Sequence, residues 1–205
     1  MKKVLLSAVA ILGFTFANAQ EEATTSNGGF AQGDVFVSGA LTLNSSKTGD
    51  FKMNSFVVAP KVGYFVTENI AIGGMLAYSN DKVELGNSAT NSGFGVGAFG
   101  RYYFTPANQF SLFAELAANY MTYDNEFGVD YDGSLYATDY KNNVFGVNLG
   151  AGMNYFVSPN FSLEAGVGVL GFSSDDNGGD GADATNTFSF GGNWTAVTFG
   201  VNYKF

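Results

Sequence analysis

The chain has no cysteine and no histidine in 205 residues. The first absence excludes disulfides, thiolate metal sites and a lipid-modified N-terminal cysteine. The second removes imidazole ligands and histidine-assisted nucleophiles. Proline is scarce, with three residues, and charged residues make up only 13 %, about half the usual quarter. Basic residues number 9 against 18 acidic ones, a net charge of −9. With no basic patch, nucleic-acid binding is not expected, and no motif asks for a cofactor. Long apolar runs are also missing, apart from Val4 to Phe16. That run is too short for a membrane anchor, which takes about 20 residues.

The run follows Lys2 and Lys3 and precedes Ala17-Asn18-Ala19. Basic, apolar and small residues in that order describe a cleaved secretory signal peptide over residues 1–19, with Gln20 first in the mature chain. Loss of the two lysines takes the net charge from −9 to −11. The polar stretch Glu21–Gly33 predicts a mobile tail over residues 20–33. With no other long apolar run, a membrane-embedded chain has to cross as closed strands, because open backbone is not tolerated in lipid.

What is abundant points the same way. Glycine numbers 28 and aromatics reach 16 %. One phrase occurs three times: Tyr64-Phe65-Val66-Thr67, Tyr102-Tyr103-Phe104-Thr105 and Tyr155-Phe156-Val157-Ser158. Each is followed by a short polar turn and a strand-like restart at Ile70, Phe110 or Phe161. Pairing these turns with four longer polar loops predicts eight strands: 34–44, 54–66, 70–80, 93–104, 110–123, 143–157, 161–172 and 193–205. Most reach the about 9–11 residues a tilted strand needs to cross a bilayer.

Alternation decides which way the strands face. Phe145, Val147, Leu149, Ala151, Met153 and Tyr155 share one face of the sixth strand, against Gly146, Asn148, Gly150, Gly152 and Asn154. The last strand sets Val197, Phe199, Val201, Tyr203 and Phe205 against Thr198, Gly200, Asn202 and Lys204. Apolar outside with polar or small inside is the membrane-barrel pattern. A soluble β-sandwich also alternates, but its inner faces fill with Leu, Ile and Val. The fold class is thus all-β: an eight-stranded antiparallel transmembrane β-barrel over residues 34–205. Pro60, in the middle of a strand, predicts a local bulge.

Four charged residues fall on inner faces near the short turns: Lys61, Arg101, Glu115 and Glu164. Their heights place them in one layer of the lumen, where buried charges have to pair. A salt-bridge plug is the expectation; a catalytic carboxylate pair or a gated pore are the alternatives. Eight strands leave room for little more than side chains, although inward glycines on the fourth, sixth and seventh strands reopen some volume. Without histidine, enzyme activity is not expected.

The long loops are acidic. The third, 124–142, interleaves Asp and Glu with Phe127, Tyr131, Tyr136 and Tyr140; Tyr131, Tyr136 and Tyr140 suit a surface-contact loop, since tyrosine is enriched in binding surfaces. The fourth, 173–192, contains Asp175-Asp176-Asn177-Gly178-Gly179-Asp180, a loose calcium-loop likeness without the required spacing or terminal Glu.

Val201, Tyr203 and terminal Phe205 alternate to the last residue. This resembles the β-signal that outer-membrane barrels present to their assembly machinery. With the signal peptide, strand count, short turns and long loops, the chain resembles the small eight-stranded family of OmpX and the OmpA membrane domain. The Tyr-Phe-Val-Ser-Pro-Asn turn also resembles outer-membrane barrels of the Bacteroidetes, and the chain departs from full-length OmpA in having no segment after the barrel. The resemblance implies a monomer in the cell outer membrane, in contact with outer-membrane lipid, lipopolysaccharide and the barrel assembly machinery, with an extracellular ligand left open. It implies a structural or surface-interaction role, with a small porin-like channel as the alternative.

Overall fold

The structure, a computed structural model, describes residues 28–49, 51–85, 87–129, 135–178, 181–191 and 197–205. The signal segment 1–19 and residues 20–27 lie outside the described residues. Among the described residues nine strands form one sheet: β1 (Val35–Thr48), β2 (Phe51–Phe65), β3 (Ile70–Leu85), β4 (Asn87–Tyr103), β5 (Phe110–Val129), β6 (Leu135–Phe156), β7 (Phe161–Asp175), β8 (Thr185–Phe190) and β9 (Thr198–Lys204). Consecutive strands pair antiparallel from β1 to β7, and β9 joins β7 to β1. The sheet is therefore a closed antiparallel barrel of eight staves. The eighth is divided: β8 pairs with the far half of β7, and β9 with its near half.

Each of the three repeated phrases builds one short turn. The hydroxyl oxygen of Thr67 accepts the Ile70 N–H at 3.0 Å. Ser158 accepts the Phe161 N–H at 3.1 Å in the same way, while the Thr105 hydroxyl donates to the Phe110 carbonyl at 3.3 Å. Ser and Thr oxygens thus tie the turn backbone locally. The two outer positions of each phrase face outward, with Tyr64, Tyr102, Phe104, Tyr155 and Val157 exposed, while the middle residues Phe65, Tyr103 and Phe156 are buried in the lumen. One aromatic phrase thus supplies both an outer girdle and an inner floor.

The strands run further than the alternation suggested. Pairing continues through most of the segments read as loops, as in Lys47↔Lys52 and Leu85↔Asn87. Beyond the lipid belt the ladder needs no apolar face, and polar side chains bridge neighbouring strands instead: Ser45 to Asn54 at 2.9 Å, Thr122 to Asn143 at 2.8 Å and Asn125 to Asn142 at 2.8 Å. The segment 173–192, read as a loop, contains β8. Pro60 causes no bulge. It stays in register opposite Gly39, and only the bridges to β3 lapse at Ala59 and Pro60, with the same register resumed at Lys61↔Met75. The missing donor costs the ladder locally without shifting the strand. The register shifts elsewhere: between β5 and β6 at Asn125/Phe127, and on β7, where Leu149 and Gly150 pair with Leu170 and Gly168 and Val169 is left over. The β7 bulge reverses parity, so that Gly171 is buried and Phe172 exposed.

Residues 28–33 are no mobile tail. Phe30 inserts into the base of the barrel against Phe65, Tyr103, Phe156 and Phe36, at ring-centroid distances of 4.7, 5.2, 4.9 and 5.6 Å. Its N–H donates to the Pro106 carbonyl at 2.7 Å, and the Gly33 N–H donates to Phe65 O at 3.0 Å. Lys204 reaches Gly29 O at 2.7 Å and Asp34 at 3.3 Å. Gly28, at φ 81°, lies where any Cβ would overlap the Phe156 ring. An apolar ring able to leave water outweighs the disorder of a short polar tail.

Candidate functional site in the lumen

The lumen is filled in layers from the base. Phe30, Phe36, Phe65, Phe99, Tyr103, Phe113 and Phe156 form one buried aromatic cluster. The glycines expected to reopen volume mostly make room for these and other side chains. A Cβ at Gly152 would strike the Phe113 ring, at Gly95 the Met121 sulfur, and at Gly97 the Met75 methyl, whereas on β7 a Cβ at Gly168 would meet nothing within 4 Å.

On this floor stands the charge layer. Arg101 and Glu115 are direct partners across β4 and β5, and their side chains form an ion pair. Arg101 also holds Glu164 with two parallel bonds of 2.7 and 2.8 Å, the fork geometry that guanidinium offers and ammonium does not. Lys61 Nζ binds the other Glu115 oxygen at 2.6 Å. All four predicted lumen residues therefore meet in one chain, Lys61–Glu115–Arg101–Glu164. The Arg101 guanidinium, 2 % exposed, lies 4.2 Å from the Phe113 ring centre and donates to the Tyr103 hydroxyl at 3.1 Å. That stacking site for a planar cation was not expected from the sequence.

Beside the charges runs a polar arc, Ser38, Asn202, Ser162, Asn154 and Ser111, all buried; the sequence reading set Asn154 and Asn202 inward but did not group the five. Asn154 donates to Glu164 at 3.2 Å. Alternation alone places each of these residues inward, so the signal was present. Above the charge layer a cavity of about 230 Å³ opens, lined by Lys61, Glu115, Asn148, Gly166, Gly168 and Thr198 among others.

The loop predictions divide. Tyr140 is exposed. Tyr136 takes part in the β5–β6 ladder opposite Gly128, and Tyr131 lies outside the described residues, as do Gly179 and Asp180. Asp175 and Asp176, read as calcium-loop candidates, are engaged in the protein itself. Asp175 accepts from Asn142 at 2.8 and 2.9 Å. Asp176 accepts from the Asn143 N–H and amide, both at 2.7 Å, and from the Gly178 N–H. Those bonds, the Asn143 backbone donor first, hold its carboxyl below the usual carboxylate range. The clamp is thus complete at neutral pH and lost as pH falls through that lowered value. Among the described residues no group of three or more acidic side chains could hold a metal ion. At the C-terminal end Val201 and Phe205 face outward, and the Tyr203 and Phe205 rings meet edge to face at 5.0 Å.

Residues 31–204 match the family model of the autotransporter β-domain. The chain belongs to that family. Among solved structures it is similar to the outer-membrane protein OprG of Pseudomonas aeruginosa, at 15 % identity and a TM-score of 0.50, covering 86 % of this chain and 98 % of that one. It is also similar to neisserial surface protein A, at 18 % identity and a TM-score of 0.49, covering 86 % and 99 %. The β-domain of the Bordetella autotransporter BrkA matches at 12 % identity and a TM-score of 0.41, covering 86 % and 81 %. No curated protein matches the chain. At such identities the likeness is one of fold: a small eight-stranded barrel of the outer membrane.

Proposed function

We propose that this protein is a monomeric, non-enzymatic barrel, sealed near one end of its lumen, that stabilises the outer membrane and presents its long hairpins at the cell surface. The short turns and the C-terminus face the periplasm in this reading. The observation that carries it is the two-tier closure: the Phe30-centred floor and, directly above, Arg101 bound to two carboxylates. The same pairing speaks against catalysis, because Glu115 and Glu164 are both engaged by cations. The porin-like alternative has one point in its favour, the cavity of about 230 Å³ above the charge layer. Planar-bilayer recording of the purified protein separates the two. The sealed reading expects rare, small current steps; large, steady conductance would establish the channel.

The proposal extends to assembly through the last strand, with Val201, Tyr203 and Phe205 as the recognised edge. Deleting Phe205 should remove one ring of the Tyr203–Phe205 pair and leave every ladder bond of β9 except that of its own N–H to Val35 O. The folded, heat-modifiable form in the outer membrane should drop several-fold while purified protein still refolds in detergent. Normal insertion in cells would refute the role of that strand as an assembly signal.

A further inference from the structure

The barrel's outer wall carries an arrangement on β1–β3 that neither closure nor display requires. Strand parity points Lys47, Lys52 and Lys82 outward, in line with exposed Leu41 and Leu43 on β1 and with Val62 and Tyr64 on β2. Each lysine stands four residues beyond an outward apolar residue, with one outward polar residue between: Leu43–Ser45–Lys47, Phe56–Asn54–Lys52 and Tyr78–Asn80–Lys82. The Phe56 and Tyr78 rings touch at 5.9 Å and mark the upper edge of the apolar belt. Four residues of tilted strand raise a lysine by roughly 10 Å. Its long stem brings the ammonium back into the headgroup layer, which is about 5–7 Å deep.

Two further observations single out this place. Lys47 and Lys52 are direct partners across β1 and β2, a like-charge pair that weakens a hairpin. Glu84 lies 3.7 Å from Lys52 and 2.6 Å from Lys82, so the cluster of three lysines keeps a net positive charge on an otherwise acidic chain. Between the belt and the lysines the wall has a groove of about 400 Å³, lined by Leu43 and Phe56 below and by Ser45, Asn54, Asn80 and Lys82 above. An apolar floor, a polar wall and a cationic rim match an amphiphile with an anionic head.

We propose that this groove binds the phosphate-bearing headgroup of an outer-leaflet lipid, with its apolar part over Leu43 and Phe56 and its phosphate among Lys47, Lys52 and Lys82. The binding itself stands on the groove; the choice of leaflet rests on the orientation proposed above.

The test uses the full mature protein folded in detergent micelles and titrated with diphosphoryl lipid A, with bound lipid read by native mass spectrometry. Replacing all three lysines with serine should weaken retention about a hundredfold, and replacing them with arginine should preserve it. Fully dephosphorylated lipid A should bind as weakly as the serine variant does to the intact lipid, and added salt should weaken only the phosphorylated pair. Equal retention by the serine variant, or of the dephosphorylated lipid, would overturn the proposal. Displacement by inorganic phosphate would overturn the lipid source in favour of a free anion. The heat-modifiable gel shift confirms that each variant is folded, and the dephosphorylated lipid on the unaltered protein carries the comparison if the serine variant is not. Labelling of Gly49→Cys on intact cells by a membrane-impermeant maleimide supports the outer leaflet. Absence of labelling would overturn the orientation and that leaflet, while binding in micelles would stand or fall on its own result.

Discussion

Arg101→Ala should lower the stability of the folded barrel by about 3–5 kcal/mol, the usual cost of breaking a buried ion pair on one side. Arg101 is itself almost wholly buried, but its partners Glu115 and Glu164 retain 16 % and 15 % side-chain exposure to the cavity. Water there places the effect towards the lower end of that range. The two carboxylates are not equivalent. Glu115 keeps Lys61 at 2.6 Å when the arginine goes. Among the described residues Glu164 keeps only the Asn154 amide at 3.2 Å. Adding Glu164→Ala to Arg101→Ala should therefore recover more stability than adding Glu115→Ala, which leaves Lys61 as well as Glu164 without its partner. Urea unfolding in lipid vesicles, followed by the gel-mobility shift, measures all four proteins. Equal recovery by the two double variants would show that the bidentate bond does not dominate the network.

Phe30→Ala should cost about 3–5 kcal/mol as well, the range for removing a buried phenylalanine ring, and should also change what passes through the barrel. Phe30 contacts four other rings at once, and the segment before β1 is otherwise anchored by its backbone bonds, by Lys204 and by the Gln32 amide on Val66 O. Loss of the ring should release residues 28–33, raise amide exchange at position 30 and at Gly33, and increase the frequency of current steps in planar bilayers. Phe30→Leu should restore most of the stability. If Phe30→Ala unfolds at the wild-type urea concentration, the floor does not depend on this residue.

Much of this architecture was legible because two signals are local. Alternation along β6 and β9 gave the inward and outward faces, and the repeated aromatic phrase located three turns to within a residue or two. Lys61, Arg101, Glu115 and Glu164 were legible as one layer because strand parity and distance from a turn fix direction and height. The stave ends were not, since a polar hairpin above the membrane and a polar loop have the same composition. The parity reversal at Val169 was equally hidden, because Val-Leu-Gly-Phe fits either register. Phe30 is the clearest miss. A lone aromatic in a polar stretch carries no period, and its burial depends on four rings contributed by β1, β2, β4 and β6.

The barrel's closing seam has a kinetic consequence. Every ladder from β1 to β7 joins neighbours in sequence, so each can zip as a hairpin as soon as its two strands meet. Among the described residues the seam between β1 and β9 is short, with five pairs from Phe36↔Lys204 to Ala40↔Gly200. It joins the two ends of the barrel chain, where the entropy of ring closure is greatest. Lys204 in that seam also bonds Gly29 and Asp34. The N-terminal residues gain this anchor only once the last strand has arrived. Locking of the segment by Lys204 therefore follows closure, and in a barrel that has not closed Phe30 is held by its four rings and its backbone bonds alone.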